Sequence, residues 1–452
     1  MADISPDTGS EATDLAVQEG QEKVVPANLS AEEATNRTDL PEALQVPTRR
    51  VGAAFQATYF FSNVMLWMAK FPFTQIILPI QILALDSANK DTDLALITAI
   101  GSTCGLISSV IGGALSDRTT GRFGRRRPFL IGGILCSVAV LFALAFGSSI
   151  ATLLIEWAAY QTAVNIVLAA LNALLPDQVP GRQRGLISAY TGMAIPLGLV
   201  LGSLIVTRAL HSNVHLAYFV IGGIFLVIIL LMALILPDKQ LPKERVAPFN
   251  LGKFLASFWI SPRTYPDFGL AWITRFFLIM SSSVTTIYLL YFLQNVLGYN
   301  ATTAAAHVTT FNSIYGGILI VAALGSGYLS DRLQRRKIFI ISAGPVVAIS
   351  MLLLAFAHSW GLVIVAAVIF GLGYGVYLGV DFALVTDVLP SAESRAKDMG
   401  VFNIANTLPQ VLVPIIAAVT VTTFHNYTII FVVVAVAAIL SGVLVQPIKG
   451  VR

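Results

Sequence analysis

Charged residues are scarce in this sequence. Only 12% of its 452 residues are Asp, Glu, Lys or Arg, whereas 56% are hydrophobic. An ordinary soluble domain carries about 25% charged residues, so the composition excludes a conventional water-soluble enzyme and indicates a membrane-embedded chain. The net charge of +4 is too small for a nucleic-acid-binding surface. We therefore expect a lipid bilayer and a small-molecule solute as partners, and no nucleic acid.

Cysteine is almost absent as well. Cys104 and Cys136 both lie in apolar stretches and provide neither a disulfide framework nor the spacing of a metal site. His211 and His215 have the i,i+4 spacing of metal ligands, but single histidines at a membrane interface are far commoner. We predict neither a metal site nor a cofactor.

The first 48 residues lack the basic start and apolar run of a signal peptide. They contain ten acidic residues against Lys23 and Arg37, and no aromatic residue. Such a stretch cannot bury enough surface to offset the entropy lost on ordering. We predict that residues 1–48 form a disordered acidic tail on the cytoplasmic side.

Long apolar runs dominate the rest of the chain. A membrane helix needs about 20 mostly apolar residues. Twelve such runs lie at about 53–83, 93–115, 129–149, 150–175, 185–209, 214–236, 267–297, 302–328, 338–357, 360–388, 398–424 and 426–447. We divide the chain into a first half at 49–236, a central cytoplasmic loop at 237–266 and a second half at 267–452.

The distribution of basic residues supports this count, because cytoplasmic loops are rich in Lys and Arg. With the amino terminus inside, nearly all basic residues beyond the tail fall in inner loops or near inner span ends, and only Lys90 and Arg208 fall in outer ones. A missed span would reverse this asymmetry in the second half. We predict twelve transmembrane helices with both termini cytoplasmic.

An internal repeat connects the two halves. Residues 113–118 read GALSDR and residues 327–332 read GYLSDR, each after the second span of its half. The two halves therefore have the same orientation. Parallel repeats of this kind place a substrate site near the membrane midplane, where the halves meet.

The segment GALSDRTTGRFGRRRPF at 113–129 resembles the loop 2–3 signature of the major facilitator superfamily. SDRTTGRFGRRRPF within it, and DFALVTDVLPSAESRAKDMGVFNIANTLPQ at 381–410, are similar to the sucrose/proton symporters and their relatives among the glycoside–pentoside–hexuronide:cation symporters. The resemblance covers about residues 50–447. It implies an all-α fold of two parallel six-helix halves that works by alternating access. We expect a monomer in the plasma membrane.

Two interpretations of the loop motif stay open. Gly113 would let a neighbouring helix approach closely, and Asp117 would meet the positive N-terminus of another helix, which the resemblance identifies as helix 11. This contact would latch the cytoplasmic side. Alternatively, the arginines only set the topology and bind anionic lipid. The gating candidates, which include the symmetry copy in the second half, are Gly113, Asp117, Arg118, Arg122, Arg125, Asp331 and Arg332.

Four ionisable residues lie well inside the predicted spans: Lys70, Glu156, Arg275 and Asp381. They fall on spans 1, 4, 7 and 10, which line the central cavity in the fold that the sequence resembles. A charge at the bilayer centre costs about 3 kcal/mol or more, so such residues usually face water or a partner. Their depths predict the pairs Lys70–Glu156 and Arg275–Asp381, either as coupling groups or as static bridges.

Amides, hydroxyls and aromatic rings accompany these charges on the same spans. Such groups suit a polyhydroxylated ligand, since donors bind hydroxyls and rings pack on apolar sugar faces. The predicted substrate-binding or coupling residues are Asn63, Trp67, Lys70, Glu156, Tyr160, Gln161, Asn165, Arg275, Ser282, Tyr374, Tyr377 and Asp381.

These features predict a secondary active transporter that moves a sugar or glycoside by symport. A buried carboxylate beside a movable cation can carry a coupling proton. The resemblance favours H⁺ over Na⁺, which composition does not decide. A drug or metabolite efflux antiporter is the alternative, although Pro196 lacks the preceding glycine that such antiporters often show. A membrane enzyme is a remote alternative, since the usual catalytic motifs are missing.

Overall fold

The computed structural model of this protein describes residues 47–242, 252, 263–333, 335–388, 395–424 and 426–448. The predicted tail, except residues 47 and 48, and most of the predicted central loop lie outside these residues. Within the described part, the long regular elements are helices.

The twelve predicted spans are all present as helices in the described part of the chain. In order, they are α1 (Ala53–Leu85), α2 (Lys90–Asp117), α3 (Arg127–Leu144), α4 (Ile150–Gln178), α5 (Gly181–Leu210), α6 (Val214–Ile235), α7 (Pro266–Asn295), α8 (Ala301–Leu333), α9 (Arg336–Ala355), α10 (Trp360–Val388), α11 (Arg395–Phe424) and α12 (Thr428–Leu444). Eleven are long and apolar enough to cross a membrane, and α12 is a shorter apolar helix of 17 residues.

Side-chain caps mark the two places where nearly continuous apolar runs divide. Ser149 Oγ accepts a hydrogen bond from the Thr152 backbone N–H at 3.2 Å, and Thr152 Oγ1 accepts one from the Ser149 N–H at 3.1 Å. This capping box begins α4. Before α12, Asn426 Oδ1 accepts a hydrogen bond from the Thr428 N–H at 2.8 Å. Both breaks therefore lie where the sequence predicts them.

The helices pack in the same way within each set of six. In the first set, α1 contacts α5 and α6, α2 contacts α4, and α3 contacts α4 and α6; α7 to α12 repeat these contacts in the second set. Between the sets, α2 packs against α11 and α5 packs against α8. These four helices therefore form the boundary between the halves.

Small residues bring α10 against the backbone of α8. A Cβ atom added at Gly375 would lie 2.6 Å from the Leu319 carbonyl oxygen, and one at Gly379 would lie 2.3 Å from the Ala323 carbonyl oxygen. Close backbone approach at small residues is the usual way in which membrane helices associate. It holds α10, which carries Asp381, in a fixed position against its neighbour.

Helix α1 changes its winding near its middle. Pro72 lies inside the helix, and Phe73–Ile77 form a π-helical turn before the α-helix resumes at Leu78. Proline removes a backbone donor and so permits such a turn, and π turns are frequent at functional sites. The turn contains Gln75, a buried polar side chain that contacts the second half.

The loop between α2 and α3 is held by Asp238, from the segment after α6. Asp238 Oδ2 accepts hydrogen bonds from the backbone N–H groups of Arg126 at 2.6 Å and Arg127 at 2.8 Å. It thereby places a negative charge at the N-terminus of α3. Gly124 has a φ of +89°, and a Cβ atom there would lie 2.3 Å from the Asp238 Cγ. This position therefore requires glycine.

Candidate functional site

A cavity of about 400 Å³ lies between the two halves. Its volume is within the usual range for small-molecule sites, about 300–1,000 Å³. Eight of the twelve predicted site residues line it: Asn63, Trp67, Lys70, Gln161, Asn165, Arg275, Ser282 and Tyr374. Further lining side chains that the predicted set left out include Gln75, Asn172, Thr286, Asn312, Asn406 and Gln410.

The first-half wall of the cavity is built around Lys70. Its Nζ donates a hydrogen bond to Asn165 Oδ1 at 3.5 Å and lies 5.6 Å from the centre of the Trp67 ring. The Asn165 amide nitrogen donates to the Gln161 carbonyl oxygen at 2.7 Å, so its oxygen faces Lys70. Trp67 stacks on Phe71 with ring centres 5.0 Å apart. Ammonium, amide and aromatic faces thus meet on one side of the cavity.

The predicted Lys70–Glu156 pair is wrong. Among the described residues, no carboxylate forms an ion pair with Lys70. Glu156 does not line the cavity. Its carboxylate lies beside Gly147, at the turn between α3 and α4, where a Cβ atom added to Gly147 would be 3.1 Å from Oε2. That oxygen has no hydrogen-bond partner among the described residues. Glu156 therefore faces away from Lys70.

The predicted Arg275–Asp381 pair is present. Arg275 Nη1 donates a hydrogen bond to Asp381 Oδ2 across α7 and α10, and Arg275 Nε donates to Asn406 Oδ1 on α11 at 2.5 Å. Arg275 and Asn406 line the cavity, and Asp381 is buried behind them. Three helices of the second half are thus joined at one guanidinium.

Two predicted site residues, Tyr160 and Tyr377, are buried next to cavity-lining helices but do not line the cavity. The Tyr160 hydroxyl on α4 donates to the Ala69 carbonyl oxygen on α1, next to Lys70. Tyr377 is fully buried one turn before Asp381. Neither lines the cavity, and the role of both as site residues remains a prediction.

An amide pair that was not among the predicted site residues lies at the outer end of the cavity and joins the two halves. Asn312 Nδ2 on α8 donates to Gln75 Oε1 at 2.8 Å and to Ser203 Oγ at 2.9 Å. Gln75 Nε2 donates to the Thr285 carbonyl oxygen at 3.5 Å. Gln75 and Ser203 belong to the first half, and Asn312 and Thr285 to the second. The one available signal was Pro72, three residues before Gln75.

Further polar contacts join the halves nearer the extracellular face. The Tyr427 hydroxyl donates to Asp91 Oδ1 at the start of α2, and Asn295 Nδ2 donates to the Tyr427 hydroxyl at 2.8 Å. Lys90 Nζ donates to Asn295 Oδ1 at 2.6 Å. Burial and the Asp91 carboxylate raise the pKa of Tyr427, so that this hydroxyl stays protonated and acts as a donor. These contacts seal the outer side of the boundary.

The cytoplasmic acid Asp117 contacts its own half. Its Oδ1 lies 2.5 Å from Arg126 Nη2, and Arg126 Nε lies 2.7 Å from Asp177 Oδ2. Asp177 Oδ2 is also 3.1 Å from Arg125 Nη2. Burial lowers the pKa of Arg126, but Asp177 and Asp117 outweigh it and raise the pKa. In this structure, Asp117 is thus part of a network that joins α2, the α2–α3 loop and α4, whereas the sequence predicts a contact with helix 11.

The other gating candidates show no described contact between the two halves. Gly113 does not mediate a close helix contact, since an added Cβ atom would meet nothing within 4 Å. A Cβ atom added at the neighbouring Gly112 would lie 3.1 Å from Ile166 Cγ1. Arg122 lies over the Phe123 ring at 5.1 Å. Arg118 ends α2 and Arg332 is exposed near the end of α8, while the side chain of Asp331 lies outside the described residues.

Metal binding finds no support in the described part of the chain, which contains no group of three or more His, Cys, Asp or Glu side chains that could hold an ion. Among the described residues, the basic or acidic side chains that line the cavity are Lys70 and Arg275. The chemistry available there is therefore recognition by hydrogen bonds, charge and aromatic faces.

Curated relatives match only parts of the chain. The General alpha-glucoside permease of Schizosaccharomyces pombe is 29% identical over 127 residues, which is 25% of this chain and 23% of that protein. A Putative proline/betaine transporter of Staphylococcus aureus is 27% identical over 162 residues, 35% of this chain and 34% of that protein. The matched segments thus span about a quarter to a third of these relatives.

Two solved structures share the fold over most of their length. One is a bacterial homologue of the human lysosomal transporter Spinster in an inward-facing and occupied conformation, with a TM-score of 0.63 and 13% identity over 86% of this chain and 95% of that one. The other is the nucleoside transporter NupG, with a TM-score of 0.66 and 11% identity over 87% and 99%. At these identities the likeness shows the fold alone.

The family model that matches is that of the Major Facilitator Superfamily, at residues 57–344 and again at residues 271–449. The two matches overlap, and together they cover most of the chain. The twelve apolar helices and the transporter relatives point the same way. This chain belongs to the major facilitator superfamily, and it is a multi-pass integral membrane transporter rather than an enzyme.

Proposed function

We propose that this transporter moves a small polyhydroxylated solute, a sugar or glycoside, together with a proton. The observation that carries the proposal is the lining of the cavity. Amides from both halves, hydroxyls such as Ser282, and the stacked Trp67–Phe71 pair surround a space of about 400 Å³. This combination matches a ligand with many hydroxyls and weakly apolar ring faces.

The position of the cavity supports alternating access. Side chains of α1, α2, α4 and α5 face those of α7, α8, α10 and α11 across it. The halves are joined at its outer end through Gln75 and Asn312. A solute bound there would contact both halves, and a rocking of one half against the other would carry it from side to side.

The buried ion pair of the second half supports coupling to a proton. Asp381 holds Arg275, and Arg275 lines the cavity. A proton on Asp381 would cancel the ion pair and release the guanidinium toward the solute. Solute binding and protonation would then favour each other, as coupling requires.

The relatives add modest support. The alpha-glucoside permease that matches a quarter of this chain is named for a glucoside, and the proline/betaine transporter is named for zwitterionic solutes. The two names suggest different solutes. A direct comparison of the two classes is therefore part of the test.

The experiment is counterflow in proteoliposomes containing the purified protein, with radiolabelled glucosides, glucose, proline and betaine, followed by uptake with an inward proton gradient. We expect exchange of at least one sugar or glycoside, and its accumulation only with the gradient. Gln161→Leu in the cavity should reduce exchange at least tenfold, whereas Gln183→Leu, which removes an amide outside the cavity, should not. Exchange of proline or betaine alone, or efflux driven by an opposing gradient, would contradict the proposal.

A further inference from the structure

A polar cluster at the outer end of the first half lies apart from the central cavity. It surrounds the turn between α3 and α4, which contains Phe146 and Gly147. Glu156 of α4 packs against Gly147, and the His215 ring of α6 stacks on the Phe146 ring with centres 5.1 Å apart. Neither Glu156 nor His215 lines the cavity. An acid and an imidazole from two helices thus meet the same turn.

Each of these two side chains has a polar atom that lacks a hydrogen-bond partner. Glu156 Oε2 and His215 Nδ1 are screened from solvent, and the described residues offer a partner to neither. No described cation forms an ion pair with Glu156. Buried polar atoms are normally paired, because their loss of water is not otherwise compensated. Both atoms therefore require a group from outside the described part of the chain.

The polar neighbours of Glu156 use their donors elsewhere. Tyr218 on α6 interacts electrostatically with Glu156, but its hydroxyl donates to Gln81 Oε1 at 2.6 Å. Gln81 Nε2 in turn donates to the Leu144 carbonyl oxygen at 2.9 Å. The groups that remain at the turn are acceptors. They are the Glu156 carboxylate and the Nδ1 atom of a neutral His215 that carries its proton on Nε2.

Exposed aromatic rings border these acceptors. Phe146 is 66% exposed and Phe219 is 39% exposed, and their ring centres lie 6.1 Å apart. The turn joins the outer ends of two membrane-spanning helices, which is the level of the outer lipid headgroups. Ammonium groups are attracted to the faces of aromatic rings as well as to carboxylates. The cluster therefore suits a cation that the outer leaflet provides.

We propose that this cluster binds the ethanolamine headgroup of an outer-leaflet phospholipid, whose primary ammonium donates hydrogen bonds to Glu156 and His215. A primary ammonium has three N–H donors, and two unpartnered acceptors await them. The trimethylated ammonium of choline has the same charge but no donor, so it would leave both acceptors unpaired. Both residues are partly exposed, and a side-chain rotation brings their polar atoms to the headgroup.

The test compares lipids that differ only in the methyl groups on the nitrogen. Native mass spectrometry of the purified full chain in detergent gives dissociation constants for dioleoyl phosphatidylethanolamine, its N-methyl and N,N-dimethyl derivatives, and dioleoyl phosphatidylcholine. We expect the ethanolamine lipid to bind at least about fivefold more tightly than the choline lipid, because it alone can donate hydrogen bonds to a charged group. Affinity should fall with each added methyl group.

Variants assign this preference to the cluster. Glu156→Gln keeps the size of the side chain and should reduce the preference to about twofold or less, because a neutral acceptor bonds an ammonium more weakly. His215→Phe should reduce it in part, since an aromatic ring can still stack on Phe146. Asp117→Asn is the matched control, because Asp117 is an exposed acid on the cytoplasmic side, and it should keep the full preference.

Equal binding of the ethanolamine and choline lipids to the unaltered protein would overturn the inference, and this comparison does not depend on a variant that folds. A preference that persists in Glu156→Gln would also overturn it, and its loss in Asp117→Asn would then place the headgroup on the cytoplasmic side. Free ethanolamine in large excess should not displace the lipid. Displacement would show a site for soluble ammonium compounds instead. Because Glu156 lies outside the cavity, each of these results leaves the proposed solute untouched.

Discussion

The two walls of the cavity hold their positive charges in opposite ways. On the second-half wall, Arg275 contacts the Asp381 carboxylate and the Asn406 amide. On the first-half wall, Lys70 donates a hydrogen bond to the neutral Asn165 amide and lies over the Trp67 ring, without an ion-pair partner among the described residues. Both cations lie on the first helix of their half, and the helices of the two halves pack alike. A symmetric fold thus holds two cations in different ways, one in an ion pair and one beside neutral groups of the described residues.

The boundary between the halves shows a second contrast, between its outer and cytoplasmic sides. On the outer side, Asn312 reaches Gln75 and Ser203, and Tyr427 reaches Asp91. On the cytoplasmic side, the described ion pairs of Asp117 and Asp177 with Arg125 and Arg126 lie within the first half. The described hydrogen bonds of Asn312 and Tyr427 join the two halves on the outer side of the cavity.

The largest effect on stability should come from breaking the Arg275–Asp381 ion pair. Arg275→Ala leaves Asp381 buried without its cation, and removing one partner of a buried pair costs about 3–5 kcal/mol. We expect a strongly lowered unfolding temperature in detergent and poor yield of monodisperse protein. Lys70→Met strands no partner and should unfold within a few degrees of the unaltered protein.

The double variant Arg275→Ala with Asp381→Ala decides whether the two residues act as a pair. It should recover most of the lost stability, since no charge is left unpaired. A double variant that is no more stable than Arg275→Ala alone would show that the ion pair does not account for the effect.

The second prediction concerns coupling and separates the two buried acids. Asp381→Asn should abolish accumulation driven by a proton gradient but keep counterflow, because it removes the acid that controls a cavity-lining arginine. Glu156→Gln should retain both activities, since Glu156 lies at the α3–α4 turn outside the cavity. Paired uptake and counterflow assays in proteoliposomes measure the difference. Full accumulation by Asp381→Asn would refute this assignment.

The misplaced Glu156 shows what depth alone does not predict. Depth along a span paired Arg275 with Asp381 correctly, and it paired Lys70 with Glu156 wrongly. Lys70 faces the side of α4 that carries Gln161 and Asn165. Glu156 is five residues before Gln161, which is about 140° around an α-helix. Glu156 therefore lies on a different face of α4 from the one that Lys70 contacts, and a similar depth in the membrane does not bring the two side chains together.

Helix existence was predictable because apolar length and loop charge determine it, and all twelve helices are where the sequence predicts them. The amide pair of Gln75 and Asn312 could not be predicted in this way. It depends on the π turn after Pro72, which changes the direction in which the following side chains of α1 point. It also depends on how closely α5 and α8 approach. Single-helix periodicity contains neither kind of information.

The third prediction tests the outer closure. Asn312→Ala removes hydrogen bonds to Gln75 and Ser203, each worth about 0.5–1.5 kcal/mol. We expect roughly a tenfold shift of the population toward the outward-open state. In a background with Cys104 and Cys136 replaced, a cysteine at the cavity position Thr286 should react faster with an impermeant thiol reagent added outside. Thr310→Ala, an exposed position on the same helix, should leave that rate unchanged.

The smallest effect should come from the cytoplasmic acid Asp117. Its side chain is 59% exposed and bonds Arg126 within its own half, and an exposed ion pair contributes about 0–1 kcal/mol. Asp117→Asn should therefore leave expression and unfolding temperature nearly unchanged.

Asp177 is only 18% exposed and bonds both Arg125 and Arg126. Asp177→Asn should be clearly more destabilising, because two buried guanidinium groups lose their shared carboxylate.

Transport separates the two interpretations of Asp117. If it joins helix α11 once the cytoplasmic side closes, its loss lowers the outward-open population, since a charge at a helix N-terminus is worth about 0.3–1 kcal/mol. Turnover should then fall about two- to fivefold in Asp117→Asn, while labelling of the Thr286 cysteine from the cytoplasmic side rises. Asp117→Glu should restore both. Unchanged turnover and labelling would mean that Asp117 serves only the α2–α3 network, and that the cytoplasmic closure depends on other groups.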